Sequence, residues 1–232
     1  MPQEFTRIAG LQVSACQGTP TPTANYGKPM ETQPQPFAMA MMASRLFKVR
    51  TVIISGEINQ DLAGRVVAEL MALAADADRP ITALINSQGG HVESGDTIHD
   101  VIRFIKPRVL MIGTGWVASA GALIFVSVPV EDRYCLPNTR FLLHQPAGGI
   151  RGSGSDIAIE AEQIVQMRAR INRIIAQQTG QPLEKITRDT NRNYWLGAEE
   201  AVAYGLVGRI VEHVEEVTSL HEMLHKPGEE RG

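Results

Sequence analysis

An α/β fold built on a parallel sheet is what this sequence predicts, on three observations. Beyond residue 42, short β-branched runs alternate with segments whose apolar residues recur at helical spacing. Residues 81–112 read as strand, helix and strand, and such a unit closes in one sheet by parallel pairing with a right-handed crossover. The composition, 44% hydrophobic and 20% charged over 232 residues, is that of a soluble chain with a sizeable core.

The elements follow in order. Residues 1–41 hold six of the 13 prolines, mixed with Gln and Thr, and predict a flexible segment unable to bury enough apolar surface to offset its ordering entropy. A globular domain is expected over 42–213, with a tail over 214–232. Val52 to Ser55 is a β-branched run. Asn59 then suits the N-cap of a helix whose apolar face holds Leu62, Val66, Leu70 and Leu73. Ile81 to Ile85 reads as a buried strand ending in a tight loop, Asn86 to Gly90. Ile98, Ile102 and Ile105 mark a helix stopped by Pro107, and Arg108 to Ile112 the strand after it. Further strands are expected at Arg133 to Leu136 and Phe141 to Leu143. A glycine segment, Gly148 to Gly154, leads into a helix from about Asp156 to Gln178, long enough that part of it should pack on another subunit. Residues 198–212 close the domain with a short helix and the strand Val207 to Val211.

Composition also removes whole classes of function. Lys plus Arg number 22 against 25 Asp plus Glu, a net charge of −3 with no basic run, so neither a nucleic-acid nor an anionic-membrane partner is expected. The longest apolar run near the N-terminus, Phe37 to Ala43, is far short of the roughly 20 residues of a spanning helix. Val13-Ser14-Ala15-Cys16 looks like a lipoprotein cleavage box, but no charged and apolar leader precedes it. The two cysteines, Cys16 and Cys135, make no disulfide framework and fit a reduced, cytoplasmic setting.

Three motifs bear on chemistry. His221-Glu222-Met223-Leu224-His225 has the H-E-x-x-H spacing of a zinc site, yet it lies at the chain end and Lys226-Pro227-Gly228 stops any helix there. The glycines of 148–154 lack the order of a dinucleotide fingerprint, and no phosphate-binding G-x-x-x-x-G-K-[ST] exists, so no cofactor or metal is expected. Ser119, in Gly115-Trp116-Val117-Ala118-Ser119-Ala120-Gly121, sits at a strand-to-helix junction among small residues. Such a serine is either a helix N-cap or an exposed nucleophile. His144 follows at the end of an apolar strand.

Residues 44–213 resemble the ClpP family, the proteolytic subunits of ATP-dependent Clp proteases. The resemblance rests on Ser44-Arg45-Leu46, Ile85-Asn86-Ser87-x-Gly89-Gly90, Ala118-Ser119-x-Gly121, Leu136-Pro137-Asn138, His144-Gln145-Pro146, Thr179-Gly180-Gln181 and Glu200-Ala201-x-x-Tyr204-Gly205-Leu206-Val207, with 25 residues from Ser119 to His144. It implies a ClpP/crotonase-like spiral of β-α-β units with a protruding handle helix. It also implies a serine endopeptidase acting on unfolded polypeptides inside stacked heptameric rings, a tetradecamer served by an AAA+ unfoldase. Ser119 would be the nucleophile and His144 the general base, with Gly90 and Ala120 giving the oxyanion-hole N–H groups. The Gly-Gly turn would keep side chains out of the substrate's way, and the glycine segment before the handle would pair with substrate as an added strand.

The chain departs from that family at several positions. Asn193 stands where the family has the triad Asp, and an amide carries no charge to stabilise the imidazolium. In serine proteases that exchange costs roughly 10⁴ in kcat, about 5 kcal/mol. Asp189, about one turn earlier, is a possible substitute. Asn191 replaces an acid that pairs with the neighbouring arginine, here Arg192, between rings. Gln88 replaces a proline and should loosen the Gly90 loop. Weak activity of the isolated subunit is therefore expected, with a paralogous ring subunit as a further partner. The competing readings are a catalytically silent structural ring subunit and a crotonase-like thioester enzyme, from which the Ser119–His144 spacing points away.

Overall fold

The structure, a computed structural model, describes residues 36–146 and 151–217. Helix α1 (Pro36–Lys48) leads into β1 (Thr51–Ile58), α2 (Gln60–Asp76), β2 (Ile81–Gly90), α3 (Val92–Phe104) and β3 (Val109–Ala118). The short helix α4 (Ala120–Phe125), β4 (Arg133–Cys135) and β5 (Arg140–Leu143) follow. The long helix α5 (Gly154–Thr179), α6 (Leu183–Asp189), β6 (Tyr194–Leu196), α7 (Ala198–Ala203) and β7 (Arg209–Ile210) complete the described residues.

Strands β1, β2, β3, β4 and β7 lie side by side in that order, all parallel. Strand β3 has two partners. Its Met111–Gly113 half pairs with β4, whereas Trp116–Ala118 pairs with β5, so one strand hands the sheet from one neighbour to the next. Strand β6 then adds to β5 in antiparallel fashion.

The helices cover this sheet through the residues their spacing marks. Asn59 caps α2, its Oδ1 accepting from Leu62 N–H at 2.9 Å, and Leu62, Val66, Leu70 and Leu73 are all buried. Each such side chain contributes about 1.5–3 kcal/mol. The C-terminal half of α5 docks through Ile171 and Ile175, while Ile157, Ile159 and Val165 of its N-terminal half are exposed. A capping box between Ser153 and Asp156 starts this helix, and Gly180 in the left-handed conformation ends it. Arg133, almost wholly buried, joins three segments by donating to the carbonyls of Val128, Leu206 and Gln178 at 2.8, 3.1 and 2.9 Å.

Several boundaries differ from the sequence reading, β7 among them, which is Arg209–Ile210 rather than Val207 to Val211. Helix α1 begins at Pro36, so the last residues of the Pro-rich segment are helical; a proline opens a helix without loss, because the first N–H has no intrahelical acceptor. Strand β2 runs on through Gly90, replacing the expected loop with a strand that carries a register shift opposite Ser55 and Glu57. Strand β3 likewise extends to Ala118, and α5 begins two residues before Asp156, at Gly154. Among the described residues no helix is long and apolar enough to cross a membrane. His221 to His225 and Gly148 to Ile150 lie outside the described residues.

Candidate active site

The site begins where β3 must pass the chain to α4. All six residues of α4 are buried, so the turn into it has to be sharp and its neighbours small. Ser119 makes that turn with φ 56° and ψ −120°, a backbone state that L-residues rarely adopt. Three hydrogen bonds hold it there. Its N–H donates to Leu142 O at 2.9 Å, and its carbonyl accepts from Ala122 and Leu123 N–H at 2.9 and 3.2 Å. The strained serine stands at a strand-to-helix turn, and its side chain makes no capping hydrogen bond and is only partly buried, a geometry compatible with an exposed nucleophile.

The end of β2 packs directly against this turn. Ser87, fully buried, donates its hydroxyl to Gly56 O at 2.6 Å and accepts from Gly89 N–H at 3.0 Å. A Cβ on Gly89 would lie 2.6 Å from Ser119 Cβ, and one on Gly90 would lie 2.2 Å from Ile58 O. Both glycines also have positive φ, 95° and 149°. Contact with the protein's own backbone and with the Ser119 turn therefore requires glycine here, whatever clearance a substrate would also need. Gln88, just before them, is exposed on a paired strand. Ala120 opens α4, and its N–H, like every first N–H of a helix, has no intrahelical acceptor.

His144 lies one residue past the end of β5, half-buried. Burial alone holds its imidazole below the ordinary histidine value, leaving it neutral and able to accept a proton near pH 7. It shares with Ser119 a cleft of about 20 Å³, room for about one water, walled by Ala120, Leu143, Pro146, Ile171 and Ile175. The cleft floor is therefore apolar, and helix α5 contributes two of its side chains.

Asn193 sits between α6 and β6 and is exposed. The β5–β6 register pairs Leu142 with Trp195 and Leu143 with Tyr194, so its next step places Asn193 opposite His144. Gln145 ties the two segments further, its N–H donating to Thr190 O at 2.7 Å and its side chain to Asn191 O at 2.9 Å. Among the described residues no hydrogen bond joins Ser119 Oγ, His144 and Asn193. Asp189 is committed elsewhere: it accepts from Lys185 Nζ at 2.8 Å and Tyr204 OH at 2.9 Å. Burial raises the Asp189 pKa, but those two donors outweigh it and keep the carboxyl below its usual range. It makes no bond to His144. Asn191 accepts from Arg168 at 3.3 Å, and Arg192 has no ion-pair partner among the described residues. Cys135, buried with its thiol pushed up to about 11, is no competing nucleophile.

The Clp protease family model matches residues 35–214. ATP-dependent Clp protease proteolytic subunit 3 of Rhizobium etli is 64% identical over 168 residues, 72% of this chain and 87% of that protein. Subunit 2 of Pseudomonas aeruginosa is 54% identical over 179 residues, 77% of this chain and 89% of the relative. Among solved structures, ClpP1 from Listeria monocytogenes superposes with TM-score 0.69 at 50% identity, covering 76% of this chain and 99% of that one. An asparagine-to-aspartate mutant of the same Listeria protein gives 0.71 at 51% identity, with 77% and 99% covered. A match over most of the chain, at these identities and with the same fold, leaves one assignment: the chain belongs to the Clp protease family.

Proposed function

We propose that this chain is a proteolytic subunit of an ATP-dependent Clp protease, a serine endopeptidase cleaving unfolded polypeptide in the cytoplasm. Ser119 Oγ attacks the scissile carbonyl while His144 takes its proton and later delivers it to the leaving amine. The N–H groups of Gly90 and Ala120 receive the oxyanion. Asn193 accepts from His144 Nδ1–H and fixes its tautomer, but supplies no charge to the imidazolium, so turnover by the isolated subunit is slow. The observation that carries this reading is the strained turn at Ser119, placed in one cleft with His144.

The peptidase domain is residues 42–213, flanked by N- and C-terminal segments, and the chain assembles into stacked heptameric rings with an AAA+ unfoldase. The exposed apolar half of α5 supports a subunit contact there. Asn191, without charge beside Arg168 and Arg192, favours a partner ring from a paralogue that brings the missing acid. A fluorophosphonate probe followed by intact-mass analysis tests the nucleophile. One adduct per chain, absent in Ser119→Ala, is expected. The missing Ser119–His144 hydrogen bond favours a second reading, a silent ring subunit. Absence of any adduct, alone and with a paralogous ring and unfoldase added, decides for it.

A further inference from the structure

The face of the sheet leading to the cleft carries an exposed aromatic and cationic strip. Trp116 on β3 and Trp195 on β6 are 43% and 37% exposed, stacked with centroids 6.5 Å apart and planes 6° from parallel. Arg140 on β5, also exposed, lies with its guanidinium 4.4 Å from the centroid of Trp195. It has no ion-pair partner among the described residues, so its fork of N–H donors is free over the indole.

The strip is built on the same strands as the cleft. Trp116 precedes Ser119 by three residues, Arg140 precedes His144 by four, and Trp195 follows Asn193 by two. At about 3.3 Å per residue these offsets are roughly 7–13 Å. Trp116 pairs with Arg140 across β3–β5, and Trp195 with Leu142 across β5–β6. Along β5, Phe141 and Leu143 are buried while Arg140, Leu142 and His144 are not, so Arg140 and His144 lie on one face. An extended polypeptide whose scissile bond sits at Ser119 reaches the strip within about three to four residues, because it advances at the same 3.3 Å.

We propose that Trp116, Arg140 and Trp195 form a substrate subsite outside the cleft, selecting an acidic side chain with an apolar or aromatic neighbour three to four residues from the cleaved bond. The carboxylate meets the guanidinium, which the indole already holds in place, and the neighbouring side chain lies on the Trp rings. Aromatic and arginine residues so arranged are the usual anchors of peptide recognition. The subsite rests on the peptidase reading for its occupant, yet its test does not need turnover.

Fluorescein-labelled decapeptides, one with adjacent Glu and Phe and one with Gln and Ala in their place, are titrated onto the assembled Ser119→Ala protein by fluorescence anisotropy. The Glu-Phe peptide should bind about fivefold more tightly. Arg140→Gln should abolish that preference, and Trp116→Gln should weaken both peptides, with sedimentation of both variants unchanged. In protein retaining Ser119, Arg140→Gln should leave the rate of fluorophosphonate labelling as it was. Equal affinities for the two peptides, or a preference that survives Arg140→Gln, would overturn the subsite. So would a change of assembly state in the variants without loss of peptide binding, which would make the strip a contact between copies. Failure of the unsubstituted protein to label would instead defeat the nucleophile assignment and leave the anisotropy result to judge the subsite.

Discussion

Removing the Ser119 hydroxyl should cost different amounts of stability depending on what replaces the residue. At φ 56° and ψ −120° a residue with a Cβ is held in a sparsely populated state costing about 1–3 kcal/mol. Glycine occupies that state freely. Against this, glycine brings about 0.5–1 kcal/mol of extra unfolded-chain entropy, and Ser119→Gly also loses a half-buried methyl relative to Ser119→Ala, a few tenths more. Both variants lack the hydroxyl, so every contact of Oγ cancels between them. The balance leaves Ser119→Gly more stable than Ser119→Ala by about 1 kcal/mol, or roughly 2–4 °C in Tm for a domain of this size. The pair is compared by urea unfolding at one protein concentration, with sedimentation establishing equal assembly. An alanine variant as stable as the glycine variant, or more so, would refute the strain at Ser119 and with it the strongest structural mark of a nucleophile.

Three further outcomes follow from the same geometry. Asn193→Asp should raise peptidase kcat/KM by up to about 10⁴ and lift the acid limb of the pH profile, since a carboxylate opposite His144 favours the imidazolium; a gain below twofold counts against Asn193 as the orienting group. Gly90→Ala, whose Cβ would lie 2.2 Å from Ile58 O at φ 149°, should destabilise the fold by at least about 2 kcal/mol, and fluorophosphonate labelling should fall with it; near-native chemical stability would show that the β1–β2 contact yields. Burial lowers the pKa of both His99 and His144 in the folded chain, so just below the ordinary value of about 6.5 the unfolded chain binds more protons. Their contribution to stability is present above that value and is lost as pH falls. Unfolding free energy should therefore decline from pH 7 to pH 5, less steeply in His99→Gln.

The elements legible in the sequence are those whose local signals and tertiary roles coincide. Asn59 with the stripe Leu62, Val66, Leu70 and Leu73 reads as a capped amphipathic helix because capping and burial ask for the same residues. Helix α1 went unread because its Ala- and Met-rich stretch adjoins prolines, and Pro36 reads equally as coil or as a helix start. The Asn86–Gly90 stretch looks like a turn by its residue types, yet it pairs as strand. Its glycines answer to positive φ and also to close approach by Ile58 and Ser119, neighbours far along the chain that no local rule reports.

The candidate site divides along the same line. Ser119 carries a signal, small residues around a strand-to-helix junction, because the sharp turn and buried α4 demand them. His144 carries a weaker one, a polar end to an apolar strand. Asn193 carries none. It is brought opposite His144 only by the β5–β6 register, and resemblance to a family was the one route to it. Position 193 is exposed, and the side chain there makes no hydrogen bond among the described residues. Exchange of carboxylate for amide at such a position costs the fold almost nothing, because nothing in the core or the sheet depends on that side chain. On the proposed mechanism the same exchange removes the charge beside the imidazolium, where the barrier is most sensitive to it. Catalytic strength at this site is therefore set where folding constrains the sequence least, which lets a subunit keep the whole architecture while its activity is tuned by one atom.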